Sequence, residues 1–191
     1  MPPTFEEIKM LISPSEGNIS HMYLDTVGRV TVGIGNMLPT DAAARALPFT
    51  NRISRNNATA AEISADFRTI SAQPWPRVAR FYRASTALDL PDVQINLLFR
   101  QRIEGFQQEL RDSYPDYDTY PDPVQLAMLD MAFNLGTAGL KRTWPRLNRA
   151  IDSEDWAQAA LECNRPQGNA SRNTAVKELF EKGAEESDDS E

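Results

Sequence analysis

The sequence has 191 residues, of which 41% are hydrophobic and 25% are charged, and these values are typical of a globular protein rather than a disordered one. The net charge of −7 argues against nucleic acid or an anionic membrane surface as the main partner. With one cysteine and one histidine, the chain cannot build a disulfide framework or a zinc site with the usual ligands. We expect a monomer with no metal and no cofactor.

The N-terminal part is predicted to form a helix followed by a hairpin. Thr4 and Glu7 have the spacing of a capping box, and an apolar stripe continues from them towards Pro14, which is expected to end or bend the helix. Two β-prone runs, 21–25 and 29–34, are joined by a glycine-containing turn. These runs are the only convincing strands in the sequence.

Beyond the hairpin, the sequence pattern is helical. Apolar periodicity and capping residues predict helices over residues 57–71, 77–85, 91–113, 123–135 and 145–151, after Ser153, and from Ser171 to Gly183. The helix over 91–113 is the longest and is amphipathic. The helix over 123–135 is apolar on more than one face, so we expect it at the buried centre of the larger lobe.

These elements predict an α+β fold that is mostly α. We expect one domain over 1–183, made of an N-terminal lobe (about 13–90), an interlobe helix (about 91–113) and a larger helical lobe (about 114–183) against which helix 4–13 packs. The acidic residues 184–191 are expected to form a disordered, solvated tail.

Two carboxylates and a hydroxyl near the hairpin are the candidates for chemistry. Glu16 stands at a predicted helix C-terminus, where the helix dipole favours the protonated carboxyl, whereas Asp25 is expected to stay solvated and ionised. Thr31, on the facing strand, is positioned to help Asp25 hold a water. Such a set is suited to acid/base cleavage of a glycosidic bond. Because the chain has 27 acidic residues, spacing alone leaves open that Glu16 is an exposed helix-end carboxylate and Asp25 a turn former.

The full string is more specific than this spacing. Glu16-Gly17, followed by Tyr23-x-Asp25-Thr26-x-Gly28-x-x-Thr31-x-Gly33-Ile34-Gly35, closely resembles the active-site segment of the lysozyme of T-even phages. Relatives of that lysozyme include phage endolysins and secreted bacterial muramidase toxins. After a divergent middle, the resemblance resumes in the same order at residues 90–115, 131–136, 155–160 and 171–180.

This resemblance implies a lysozyme-like fold with a small β-hairpin lobe and a larger helical lobe. It also implies a muramidase that cleaves the β-1,4 bond between N-acetylmuramic acid and N-acetylglucosamine with inversion. Glu16 would be the general acid, and Asp25 with Thr31 would activate the water. Asn134 and Arg172 would bind substrate, and Arg172 matches an arginine that pairs with the catalytic glutamate. The alternatives are a solvated helix residue for Arg172 and a capping amide for Asn134.

The expected partner is the glycan strand of peptidoglycan, in the periplasm or cell wall of a target bacterium. The N-terminus has neither the basic nor the apolar region of a signal peptide, so we expect synthesis in the cytoplasm and export by other means. We favour an exported antibacterial toxin or effector with a secretion-machine carrier and an immunity protein or inhibitor. The alternatives are a phage endolysin, a lytic transglycosylase and an inactive lysozyme-fold binding protein.

Residues 40–89 depart most from the family, because this stretch is longer than in the phage enzyme. Trp75, Phe81 and Tyr82 either pack an extra helix or add contacts to glycan or stem peptide. His21 is expected on the hairpin surface, and the alternative is a modest influence on Glu16.

Overall fold

A computed structural model describes residues 3–166 and 169–188, and at residues 13–16 and 188 it describes the backbone alone. Over these residues the protein is α+β and mostly helical, which confirms the predicted class. The chain divides into two compact units, residues 16–101 and residues 3–15 with 102–188. None of the described helices is long and apolar enough to cross a membrane.

The first helix, α1 (Phe5–Glu16), begins where the capping box predicts it. The Glu7 amide donates to the Thr4 hydroxyl at 3.3 Å, and the Thr4 amide donates to the Glu7 carboxylate at 2.8 Å. Of the two expectations for Pro14, an end or a bend of the helix, the end is wrong, because the helical backbone continues two residues beyond it. Gly17, with a φ of +76°, follows the helix in a left-handed conformation that glycine adopts at little cost.

The unit formed by residues 16–101 contains two small antiparallel sheets and three short helices. Its elements are β1 (Ile19–Leu24), β2 (Val30–Gly33), β3 (Asn36–Met37), α2 (Asp41–Arg45), β4 (Thr50–Asn51), α3 (Ala60–Ser71), α4 (Ala79–Tyr82) and β5 (Leu88–Asp89). One sheet has the order β1-β2-β3, and the other pairs β4 with β5. The pair β1 and β2 is the predicted hairpin. The other three strands have two residues each, which is too short for an alternation pattern to reveal.

The second unit is helical. The predicted long helix, α5 (Asp92–Ser113), begins in the first unit and contributes residues 102–113 to the second. It is followed by α6 (Asp122–Leu135), α7 (Thr137–Thr143), α8 (Pro145–Asp152), α9 (Trp156–Glu162) and α10 (Ala170–Asp188). As predicted, α6 is buried, with every residue of 127–133 at most 5% exposed.

The last helix, α10, does not end at Gly183 as expected. It continues to Asp188, so the predicted disordered tail is wrong for residues 184–188, and residues 189–191 lie outside the described residues. A Cβ atom at Gly183 would collide with the side chain of Val124 on α6. Glycine at this position therefore serves the close approach of two helices rather than the end of one.

Candidate active site

Asp25 directly follows β1 and begins the turn to β2. Its Oδ1 accepts hydrogen bonds from the amides of Val27 and Arg29, each at 2.9 Å, and its carbonyl accepts one from the Gly28 amide at 3.1 Å. Bonds of this kind hold an aspartate side chain against its own turn. The residue is partly exposed, and the described residues engage only Oδ1 of its carboxylate. Oδ2 therefore faces no described donor.

Thr31 lies on β2 opposite Tyr23 and is 2% exposed. Asp25 lies one residue beyond β1, and its amide donates to the Arg29 carbonyl at 2.9 Å, so the backbones of Asp25 and Thr31 are diagonal neighbours in the hairpin. Diagonal neighbours of this kind have Cα atoms about 7–8 Å apart. The Thr31 hydroxyl donates to the Arg29 carbonyl at 3.1 Å, so its oxygen can still accept a hydrogen bond from a water.

Glu16 is the last residue of α1, and β1 follows it after a short link that contains Gly17. The order of helix, glycine and hairpin is the one that the sequence predicts. The Glu16 side chain lies outside the described residues, so its role as general acid stays a prediction.

Asn134 and Arg172, the two residues expected to bind substrate, differ in their surroundings. Asn134 follows the buried stretch of α6 and is exposed, and its amide makes no hydrogen bond to a described residue. Arg172 is 7% exposed in the first turn of α10, so the alternative of a solvated helix residue is wrong. Its Nε donates to Oδ1 and Oδ2 of Asp130, at 2.8 and 3.1 Å.

Asp130 is a residue whose importance the sequence analysis missed. It is 0% exposed on α6 and also accepts a hydrogen bond from Arg165 Nη1 at 2.9 Å, so one carboxylate faces two buried guanidinium groups. Arg165 Nη2 is buried as well and has no hydrogen-bond partner among the described residues. An aspartate inside an otherwise apolar helix was the signal that could have revealed this cluster, because a buried charge requires a partner.

Trp75, in the enlarged 40–89 region, contacts the turn that carries Asp25. Its Nε1 donates to the Asp25 carbonyl at 2.7 Å, and its indole ring lies 3.5 Å from the position of a Cβ atom on Gly28. Trp75 is 47% and Phe81 41% exposed, whereas Tyr82 is fully buried. Tyr82 therefore packs as a core residue, and the other two aromatic rings are partly available to a ligand.

A partly buried polar cluster attaches the same region to β1. The carboxylate of Asp89 accepts bonds from Arg52 Nε at 2.9 Å, Arg83 Nη1 at 3.1 Å and the Ser20 hydroxyl at 2.9 Å. Burial alone would raise the pKa of Asp89, but the hydrogen bonds from Arg52 and Ser20 lower it overall. His21 belongs to this cluster and is 5% exposed, so the expectation that it lies on the surface is wrong.

No protein-family model matches the chain, and no curated protein matches it significantly. Among the described residues, no group of three or more histidine, cysteine, aspartate or glutamate side chains is arranged to hold a metal ion. The proposal for function therefore depends on the resemblance of the sequence and on the geometry of the hairpin.

We expect the thermal stability to fall as the pH is lowered from about 7.5 to 5.5. Burial and the neighbouring Arg83 lower the pKa of His21, although the bond from Nε2 to the Ala79 carbonyl, at 3.0 Å, opposes this. In the neutral ring Nδ1 can accept from Arg83 Nη1, at 3.4 Å, and protonation removes this acceptor.

The sign of this effect follows from proton binding. Because the pKa of His21 is lower in the folded state, the unfolded chain binds the proton more readily once the pH falls below the ordinary histidine pKa. The contribution of neutral His21 to the free energy of unfolding is therefore complete above that pKa and decreases as the pH falls. We expect the melting temperature to drop by roughly 1–3 °C over this range. His21→Gln, whose amide can make both hydrogen bonds, should flatten the profile. Equal slopes for the two proteins would contradict the assignment, since the chain has one histidine.

Proposed function

We propose that the protein is a muramidase that cleaves the β-1,4 bond between N-acetylmuramic acid and N-acetylglucosamine in peptidoglycan. The observation that carries the proposal is that a hairpin with Asp25 at the end of β1 and Thr31 on β2 follows the helix ending at Glu16. This is the arrangement expected from the resemblance to the phage lysozyme family. The proposal includes the finer fold of that family, with a small hairpin lobe and a larger helical lobe.

In this proposal the two carboxylates have separate roles. Glu16 protonates the leaving-group oxygen as general acid, and Asp25 removes a proton from the attacking water as general base. The two turn amides on Oδ1 orient the Asp25 carboxylate and leave Oδ2 for the water. Thr31 donates its proton to a backbone carbonyl, so its oxygen is suited to accept a hydrogen bond from the same water.

Asn134 and Arg172 are proposed to contribute to substrate binding. Asn134 is suited to this role because its exposed amide can donate to and accept from sugar hydroxyl and acetamido groups. Arg172 is held through Nε by Asp130, which fixes the orientation of the guanidinium plane. An arginine fixed in this way keeps one orientation and therefore loses little side-chain entropy when a ligand binds.

For the biological setting, we propose an antibacterial toxin that is exported to the cell wall of a target bacterium. The net charge of −7 supports this choice over a free enzyme that must find an anionic cell wall by long-range attraction. A carrier of the secretion machine and an immunity protein are the expected partners. A neighbouring immunity gene would support this setting, and a neighbouring holin gene would support an endolysin.

Digestion of purified peptidoglycan tests the proposed reaction. We expect new reducing ends on N-acetylmuramic acid, and the α-anomer should form first, because attack of water on the face opposite the leaving group inverts the β-bond. Mass spectrometry identifies the product, and NMR spectra recorded within minutes of cleavage identify the anomer before it equilibrates.

Each other outcome points to a different function. Anhydro-sugar ends would indicate a lytic transglycosylase, which does not use a water-activating aspartate. Initial formation of the β-anomer would contradict the role of Asp25 as a general base. Binding to peptidoglycan without cleavage would indicate an inactive lysozyme-fold binding protein.

A further inference from the structure

The segment of residues 74–79 forms a wall beside the candidate catalytic turn. Trp75 attaches this segment to the hairpin through its bond to the Asp25 carbonyl and its packing on Gly28. Pro76 and the residues after it then continue along the end of β1 towards α4. The position of this wall is therefore set by contacts to the turn that holds Asp25.

A groove of about 460 Å³ lies between this wall and the hairpin. Residues 23–26 line one side and residues 76–79 line the other. The volume is within the range of about 300–1,000 Å³ that small-molecule sites occupy. Val78 is 63% exposed and, with Pro76, provides an apolar surface. The groove therefore combines apolar walls with the Asp25 carboxylate and one cation, Arg77.

Arg77 is exposed and is one of the residues that line the groove, and its guanidinium makes two contacts. Nη1 donates to the Pro76 carbonyl at 3.0 Å, and the guanidinium carbon lies 5.8 Å from the centre of the Phe81 ring. No described acidic side chain forms an ion pair with Arg77. Its charge is therefore available to an anionic ligand.

The sequence stretch that supplies one side of the groove is more basic than the chain as a whole. Residues 67–88 contain four arginines and no acidic residue, whereas the net charge of the protein is −7. Arg83 pairs with Asp89, whereas Arg77 and Arg80 form no ion pair with a described residue. An excess of cations on one short stretch of an acidic protein favours a ligand that carries carboxylates.

We infer that this groove binds the acidic peptide stem of peptidoglycan, with Arg77 paired to a stem carboxylate. The inference rests on the proposed function and names a further part of the same substrate. The stem is attached to N-acetylmuramic acid, the sugar whose bond is cleaved, so it must lie close to Asp25. The apolar walls accept the methyl and methylene groups of the stem residues. Since Asp25 repels carboxylates, the stem carboxylate lies at the Arg77 end.

Calorimetric binding of two soluble ligands tests this inference. The ligands are the disaccharide N-acetylglucosaminyl-N-acetylmuramic acid with a pentapeptide stem and the same disaccharide without it, neither of which contains the cleavable bond. We expect the stem-bearing ligand to bind the full chain about tenfold more tightly. Arg77→Gln should remove most of this difference and leave the affinity for the stem-free ligand unchanged within about twofold.

Arg68→Gln is the matched control, because Arg68 is exposed in the same basic stretch but does not line the groove. It should leave both affinities unchanged. Equal binding of the two ligands, no binding of either, an unchanged preference in Arg77→Gln or an equal loss in Arg68→Gln would each overturn the inference. Hydrolysis of peptidoglycan by the same preparations tests the proposed function separately, since the subsite can bind a stem whether or not cleavage occurs.

Discussion

Replacing Glu16 by Gln is expected to lower the rate of peptidoglycan hydrolysis by about 10²- to 10⁴-fold, the range that general acid catalysis contributes. The amide has nearly the size of the carboxyl but cannot donate a proton to the departing sugar oxygen. The fold should be unchanged, since the substitution alters one group at the end of α1. The measurement is the rate of release of reducing ends from purified peptidoglycan, with circular dichroism as the check on folding.

Glu6→Gln is the matched control for this experiment. Glu6 is an exposed acidic residue in the first turn of the same helix, so its replacement changes the net charge equally. This replacement should lower the stability only slightly, because it removes the favourable interaction of one negative charge with the helix dipole. If Glu16→Gln hydrolysed peptidoglycan within about twofold of the wild-type rate, the proposed mechanism would be wrong, because an essential acid contributes far more than that.

Replacing Asp130 by Asn is expected to destabilise the fold by about 3–5 kcal/mol, the usual cost of removing one partner from a buried ion pair. Asp130 is fully buried and accepts hydrogen bonds from Arg165 and Arg172, both of which are also buried. Without its charge, both guanidinium groups lose their shared counter-ion inside the helical unit. The melting temperature should fall by roughly 6–20 °C, at about 2–4 °C for each kcal/mol in a protein of this size.

Asp152→Asn makes the same chemical change in an exposed ion pair. Asp152 lies 3.5 Å from Lys141 Nζ, and its side chain is 61% exposed. Surface pairs of this kind contribute about 0–1 kcal/mol, so its melting temperature should stay close to that of the wild type. Similar shifts for the two variants would show that Asp130 does not provide the main counter-charge of the buried arginines.

Elements determined by local signals could be predicted from the sequence. The capping box of Thr4 and Glu7 marked the start of α1, and apolar periodicity marked α5 and the buried α6. The first residue of α3 was predicted less well. The helix was expected to begin at residue 57, whereas in the structure it begins at Ala60, after Thr59 in a capping box with Glu62. The spacing of Thr59 and Glu62 was the stronger signal for the start of the helix, because their side chains accept hydrogen bonds from two backbone amides.

Residues with more than one structural role were predicted poorly. Gly183 was read as a helix end because glycine often follows a helix, but it lies inside α10, where α6 approaches. Pro14 was expected to end or bend the helix because proline removes a helical hydrogen bond, and the backbone of α1 continues through it. In both cases the residue type limits the backbone, and the surrounding structure decides which of the permitted conformations is used.

The α+β class and the hairpin of β1 and β2 could be predicted from the sequence alone, because they depend on residues close together in the chain. Only the tertiary structure decided the surroundings of that hairpin. The bond from Trp75 to Asp25 joins residues 50 positions apart, and that from His21 to Ala79 spans 58. Asp130 lies 35 and 42 positions from its two arginine partners. Periodicity is read over windows of about 11–18 residues, so partners at such separations leave no local pattern.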